Sequence, residues 1–320
     1  MADSSSMPSN GPCVAKALVI GANGFIGSHL VDALVADGHE VSAFDRFSGG
    51  DPSYTSDGVE LLRGEFLSRT DLDSAVRGKD YVFHFLSTTN PATAEADPTL
   101  DIRTNVAQTV ELLESSAEAG VGHFYFASTG GAIYGPQGKA SYAETDRALP
   151  VSPYGIGKLT IEHYLHYFRT MHGLDSTSLR ISNPYGTRQH PHKKQGLIPI
   201  ALRQVASGQS TVRLGDGSMV RDYIYVTDAV RMITAIVGRD REHDLYNIGS
   251  GQGYSVNEVF DSLRRVTEID FPIEDRPAPP TFVDRVVLDV ARYTVEFGAP
   301  SIVDLDDGVR ATYEELRSIR

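Results

Sequence analysis

The chain has 320 residues, 41% hydrophobic and 22% charged, a balance that suits a globular protein with a large core and excludes a chain that is disordered throughout. A formal net charge of −13 argues against nucleic acid and anionic membranes as partners, so any anionic ligand needs a locally basic pocket. The single cysteine, Cys13, allows no internal disulfide and fits a reducing cytoplasm, and no apolar run approaches the roughly 18 residues that cross a membrane.

Residues 1–14 lack the basic and apolar regions of a leader and read as a disordered tail. Lys16 to Gly21 reads as a short buried strand, Gly24 to about Ala36 as a helix stopped at Gly38, and Glu40 to Asp45 as a second strand. Strand, helix and strand at this spacing form a βαβ unit. A strand at 59–62 and a short helix at 70–76 follow, then the almost wholly apolar strand Tyr81 to Leu86. A long helix is expected from about Thr99 to Ala119, a strand over His123–Ala127, a helix opened by Pro153, and a strand over Ser176–Ile181. This alternation predicts an α/β fold with a doubly wound parallel sheet. Beyond Ser182 the elements shorten: helices near 196–207 and 227–237, strands near 220–225 and 245–248, and a capping box at Ser255–Glu258. The expected division is a dinucleotide-binding domain over 15–182, joined by about 227–248, and a smaller α/β substrate lobe over about 183–226 and 249–320.

The turn after the first strand is Gly21-Ala-Asn23-Gly24-Phe25-Ile26-Gly27. Gly21 permits the tight turn, Gly24 lets backbone amides reach a pyrophosphate, and Gly27 lets helix and strand pack closely. The helix start then offers unpaired amides and the positive end of its dipole. Asp45 can accept both adenosine ribose hydroxyls and would repel a 2′-phosphate, which favours NAD over NADP; Arg46 beside it could reverse that preference. By position, Glu65 and Phe66 would touch adenine, while Leu86 and Ser87 would line the pyrophosphate or nicotinamide ribose.

Tyr154 has a lysine, Lys158, four residues later on the same face of a helix. An ammonium beside a phenol favours the phenolate, a competent general base toward a sugar hydroxyl. Ser128 and Thr129, at the end of the His123–Ala127 strand, can relay a proton between substrate and Tyr154.

Together with Asn105-Val106, the segment Leu179–Gly186, the segment Gly215–Val226 and Asn247–Gly251, these motifs resemble the extended short-chain dehydrogenase/reductase family, and within it the UDP-glucose (UDP-galactose) 4-epimerases. The similarity runs from about residue 16 to 317. It implies an NAD-dependent epimerisation at C4 of a UDP-hexose through a 4-keto sugar, in a cytoplasmic homodimer paired through the two long helices. It also implies a cofactor contact at Asn105, a phosphate contact at Asn183, a diphosphate clamp of Arg221 and Arg276, and a base pocket near Gln195 and Leu214. Family dehydratases and decarboxylases carry a glutamate just ahead of the Val-Tyr-Gly; Gly131-Ala132 stands there, which ranks those reactions lower.

Other readings stay open. The basic stretch Arg188–Lys194 could hold a uronate, and small residues at Val286 or Val287 would admit UDP-GlcNAc. Net NADH turnover would indicate a nucleotide-sugar reductase or dehydrogenase, and no turnover a silent NAD-binding regulator. No metal site is expected: His190 and His192 lack a third ligand nearby, and Asp304–Gly308 reads as the charged first turn of the last helix.

Overall fold

The computed structural model describes residues 14–189, 196–278 and 283–318. Its strands are β1 (Lys16–Ile20), β2 (Glu40–Asp45), β3 (Glu60–Arg63), β4 (Tyr81–His84), β5 (His123–Thr129), β6 (Ser176–Ile181), β7 (Asn183–Tyr185), β8 (Thr211–Leu214), β9 (Val220–Arg221), β10 (Tyr223–Tyr225), β11 (Leu245–Ile248), β12 (Tyr254–Ser255), β13 (Ile273–Arg276) and β14 (Arg285–Val286). The helices are α1 (Phe25–Ala36), α2 (Arg69–Ala75), α3 (Pro91–Ala96), α4 (Pro98–Asp101), α5 (Ala107–Glu118), α6 (Gly130–Ile133), α7 (Pro153–His172), α8 (Leu197–Ala206), α9 (Val226–Ile236), α10 (Val256–Thr267), α11 (Ala291–Phe297) and α12 (Leu305–Ser318).

Seven parallel strands form the central sheet in the order β11-β6-β5-β4-β1-β2-β3. Connections run outward in opposite directions from the β1–β4 pair, which makes that boundary the topological switch point where a crevice opens. The strands are apolar on both faces because both are covered. Leu30, Val31 and Leu34 of α1 and Val230 and Ile233 of α9 bury one face; Leu72, Leu112, Leu113, Ile161 and Leu165 of α2, α5 and α7 bury the other. The doubly wound sheet expected from the sequence is therefore the observed fold.

Some boundaries differ from the sequence reading, each for a local reason. The expected helix over 99–119 is α4 and α5 joined by a π-helical turn, Ile102–Val106. The expected strand over 220–225 is two strands in different sheets, broken at Asp222. That carboxylate is buried and accepts from Ser250 N, Ser250 Oγ, Gly251 N and Leu288 N, drawing two loops onto the break. A third core gathers Leu202 of α8, Phe260 and Leu263 of α10 and Val309 of α12 under the small sheets. The stretch 249–320 is not wholly of this lobe: Tyr293 and Phe297 of α11 pack on the core of the central sheet, with Phe297 5.4 Å from Tyr246.

Candidate active site

At the switch point the glycine turn is fixed by its neighbours. Gly21 has φ 86°, and a Cβ there would stand 2.8 Å from Leu86 N, so the ends of β1 and β4 meet backbone to backbone. A Cβ on Gly27 would lie 2.1 Å from Gly21 O. Gly24 caps α1 without a side chain, leaving the first-turn amides to an anion. Asp45, at the end of β2, accepts from Asn23 N at 3.1 Å and from Arg46 N at 2.7 Å, and Asn23 Oδ1 accepts from Ser53 N at 2.7 Å. These bonds hold the second-strand loop against the turn and leave carboxylate lone pairs for a ribose. A small-residue cradle, a free helix start and an acid at the next strand end together fit a dinucleotide. Phe25 and Ile26 open α1 half-buried, and Arg46 is exposed.

Other expected cofactor contacts have different surroundings. The ring of Phe66 is buried and stacks on His84 at 5.1 Å, and Glu65 is exposed. Ser87 Oγ donates to Thr89 O. Asn105 is engaged at both ends of its amide: Oδ1 accepts from Thr88 N and Oγ1, and Nδ2 donates to Thr89 Oγ1 and Asp101 Oδ1. Here it braces the loop after β4 against the π-helical turn.

The Tyr154 and Lys158 pair opens α7, which Ser152 caps through Gly155 N and Pro153 starts. A Cβ on Gly155 would stand 2.5 Å from Ala132 O, so the first turn of α7 rests on α6 and hence on the end of β5. Lys158 Nζ donates to Ala127 O at 2.8 Å and lies 5.8 Å from the centre of the Tyr154 ring. Burial holds the ammonium down near 8, against the raising effect of Asp101 and Glu162. The phenol goes the other way. Burial first, and Asp101 second, push Tyr154 up to about 12. The acidification expected from the Tyr/Lys spacing is thus outweighed by desolvation among the protein's own groups.

Ser128 and Thr129 point to opposite faces of β5, as neighbours in a strand must. Ser128 Oγ donates to Glu162 Oε1 at 2.5 Å, and Arg180 grips the same carboxylate with Nε at 3.1 Å and Nη2 at 2.7 Å. Thr129 stands at the N-cap of α6 without giving its hydroxyl to that helix.

On the second side, Asn183 Nδ2 donates to Asp222 O at 3.2 Å, and its amide faces Gly131. Arg221 is half-buried, donates Nη1 to Val220 O at 2.8 Å, and enters none of the ion pairs among the described residues. Burial lowers its pKa, against the raising effect of Tyr223 and Asp284. Arg276 differs: it is exposed at the end of β13 and pairs with Glu274 at 2.7 Å. Gln195, His190 and His192 lie outside the described residues. Arg188 pairs with Asp32 of α1 at 2.7 Å, so it is engaged away from any uronate. Among the described residues no cluster of metal-ligating side chains occurs, and no helix is long and apolar enough to cross a membrane.

Residues 17–249 match the NAD dependent epimerase/dehydratase family. The chain belongs to that family. A putative UDP-glucose 4-epimerase of Methanocaldococcus jannaschii is 32% identical over 94% of this chain and 98% of its own length. The UDP-glucose 4-epimerase of Thermotoga maritima, solved with UDP-glucose, superposes with a TM-score of 0.89 at 34% identity, covering 95% of this chain and 99% of that one. That of Thermus thermophilus, solved with NAD, gives 0.88 at 32% identity over 95% and 100%. The resemblance to extended short-chain dehydrogenases/reductases read from the motifs is therefore correct. The buried contacts of Glu162 with Arg180 and of Asp222 with Ser250 and Leu288 are not legible in the sequence, because each joins residues 18 to 66 positions apart.

Proposed function

We propose that the protein interconverts UDP-glucose and UDP-galactose by NAD-dependent epimerisation at C4. The observation that carries this reading is the position of Lys158, bonded to Ala127 O near the carboxyl end of β5 and 5.8 Å from the centre of the Tyr154 ring. When bound, NAD would supply reversible hydride transfer at the sugar C4. Gly21, Asn23, Gly24, Phe25, Ile26, Gly27 and Asp45 would hold it, with Leu86 and Ser87 along its far side. Tyr154 takes the 4-hydroxyl proton through the Thr129 hydroxyl and gives it back on the return step. Ser128 serves instead to anchor Glu162. Arg221 binds the diphosphate, since a half-buried guanidinium that enters no ion pair among the described residues suits an anion. Asn183 supplies a further phosphate contact. No carboxylate occupies Gly131-Ala132, so elimination lacks its acid.

The division into a cofactor lobe and a substrate lobe supports a sugar that turns over between them. A row of exposed apolar side chains along α7, Ile156, Tyr164, Tyr167 and Met171, supports a homodimer through this helix. The lone Cys13 supports a cytoplasmic setting.

The test is turnover of UDP-galactose by wild type and Tyr154→Phe. The expected loss is about 10²-fold or more in kcat, with NAD still released on denaturation and an unchanged melting temperature. Equal turnover by the variant removes the phenol from the mechanism.

A further inference from the structure

Asp101 is a buried carboxylate that the reaction as described does not use. It ends α4 just before the π-helical turn and is 3% exposed. Its Oδ1 accepts from Asn105 Nδ2 at 2.8 Å and from Thr89 Oγ1. Oδ2 faces α7 at Gly157, where a Cβ would stand 2.2 Å away. Gly157 lies directly before Lys158 and three residues after Tyr154, so the glycine is what admits a carboxylate against the first turns of α7.

The charges around the pair can be named element by element. From α7 itself comes Glu162, but Arg180 neutralises it at 2.7 Å. From β4 comes His84, which burial holds neutral near 3. From α4 comes Asp101, which forms no ion pair among the described residues. Its field is the uncompensated one at the pair, and it acts on both members: it raises the phenol and the ammonium alike.

We propose that Asp101 is a positioning residue whose fixed negative charge sets the pH window in which Lys158 is charged and Tyr154 exchanges its proton. The proposal rests on the reading of Tyr154 and Lys158 as the catalytic pair. A fixed negative charge favours the protonated form of each neighbour, so its removal lets both lose their protons at lower pH.

Asp101→Asn keeps an acceptor for Thr89 and Asn105 and removes only the charge. Both limbs of the kcat–pH profile for UDP-galactose should move toward acid together, by about one pH unit. The 13Cε resonance of Lys158, assigned with Lys158→Met in the full chain, should titrate lower by a similar interval. Limbs that stay in place while the amplitude falls, or an unmoved Lys158 midpoint, would overturn the proposal as a merely structural effect. The lysine titration needs no turnover. A wild type silent on both sugars would therefore sink the reading of the site and still leave the charge coupling measured.

Discussion

The two sides of the crevice are built on different principles. The side proposed for the cofactor is made of backbone: glycines at 21 and 27 where a Cβ would meet backbone atoms at 2.8 and 2.1 Å, a tight Gly24 between them, and strand ends pressed together at Leu86. The side proposed to hold the sugar nucleotide is made of side chains on short strands, where Arg221 is half-buried and enters no ion pair among the described residues, while Arg276 is exposed and paired with Glu274. A backbone site tolerates no gradation, because a methyl group either fits or it does not. A side-chain site can lose one member and keep the rest. Mutations on the first side should therefore act all-or-none, and those on the second should act by degrees.

The sharpest break of this contrast is Gly27→Ala. The added methyl would meet Gly21 O at 2.1 Å and the Gly21 carbonyl carbon at 2.9 Å, both backbone atoms with no room to retreat. We expect destabilisation of about 3 kcal/mol or more and purified protein without NAD. A thermal melt and the absorbance of the acid-released nucleotide measure both. A variant that melts like wild type and carries cofactor would show that the turn is softer than it looks.

Between the two extremes stand Ser128 and Thr129, adjacent in sequence and given different roles in the proposed mechanism. Thr129→Val should lower kcat about 10²-fold with little change in melting temperature, since it removes a relay and not a packing group. Ser128→Ala should leave kcat nearly intact and cost about 1 kcal/mol, the ordinary worth of a lost hydrogen bond, here to Glu162. If Ser128→Ala proves the slower enzyme, the two assignments exchange.

The same contrast explains what was legible in the sequence. Gly21 and Gly27 announce themselves because a backbone demand, a positive φ at one and a 2.1 Å approach at the other, excludes larger residues, and Gly24 completes their spacing. Tyr154 and Lys158 were found because helical spacing places them on one face. Asn105 was named for the cofactor, yet its amide is saturated by Thr88, Thr89 and Asp101. Asp101 lies one turn away, and nothing local reveals Thr88 and Thr89, which lie 17 and 16 residues away across a loop. Asp222 lay unnoticed inside an expected strand, although the loops it ties are 28 and 66 residues distant. The break at 222 arises from those long-range bonds, and propensity over 220–225 holds no trace of it. Short parallel pairs such as β8 with β13 were missed for the same reason: four residues carry too little periodicity, and the pairing partner decides.

On the substrate side, Arg221→Met should raise the KM for UDP-galactose about tenfold or more. A hydrogen bond to a charged group is worth about 1.5–3 kcal/mol. The change should fall on KM, with kcat shifted less, because the diphosphate is held alike before and during reaction. A pure kcat effect would place Arg221 nearer the reacting carbon than the diphosphate.

Arg276 marks the weak end of the comparison. Its guanidinium is 55% exposed and its bond to Glu274 joins two solvent-screened groups, so the pair holds the arginine only loosely. As the protein stands, Arg276→Ala should change KM by no more than about twofold, well below the Arg221 effect. Glu274→Gln adds a more sensitive probe, because it releases the guanidinium without removing it. If Arg276 joins the clamp when the nucleotide sugar arrives, Glu274→Gln lowers KM and Arg276→Ala raises it. If it belongs to the surface, both variants stay at the wild-type KM. A measured rise for Arg276→Ala equal to that of Arg221→Met would require the β13 end to move inward on binding, and the substrate side would then be assembled by the ligand rather than presented to it.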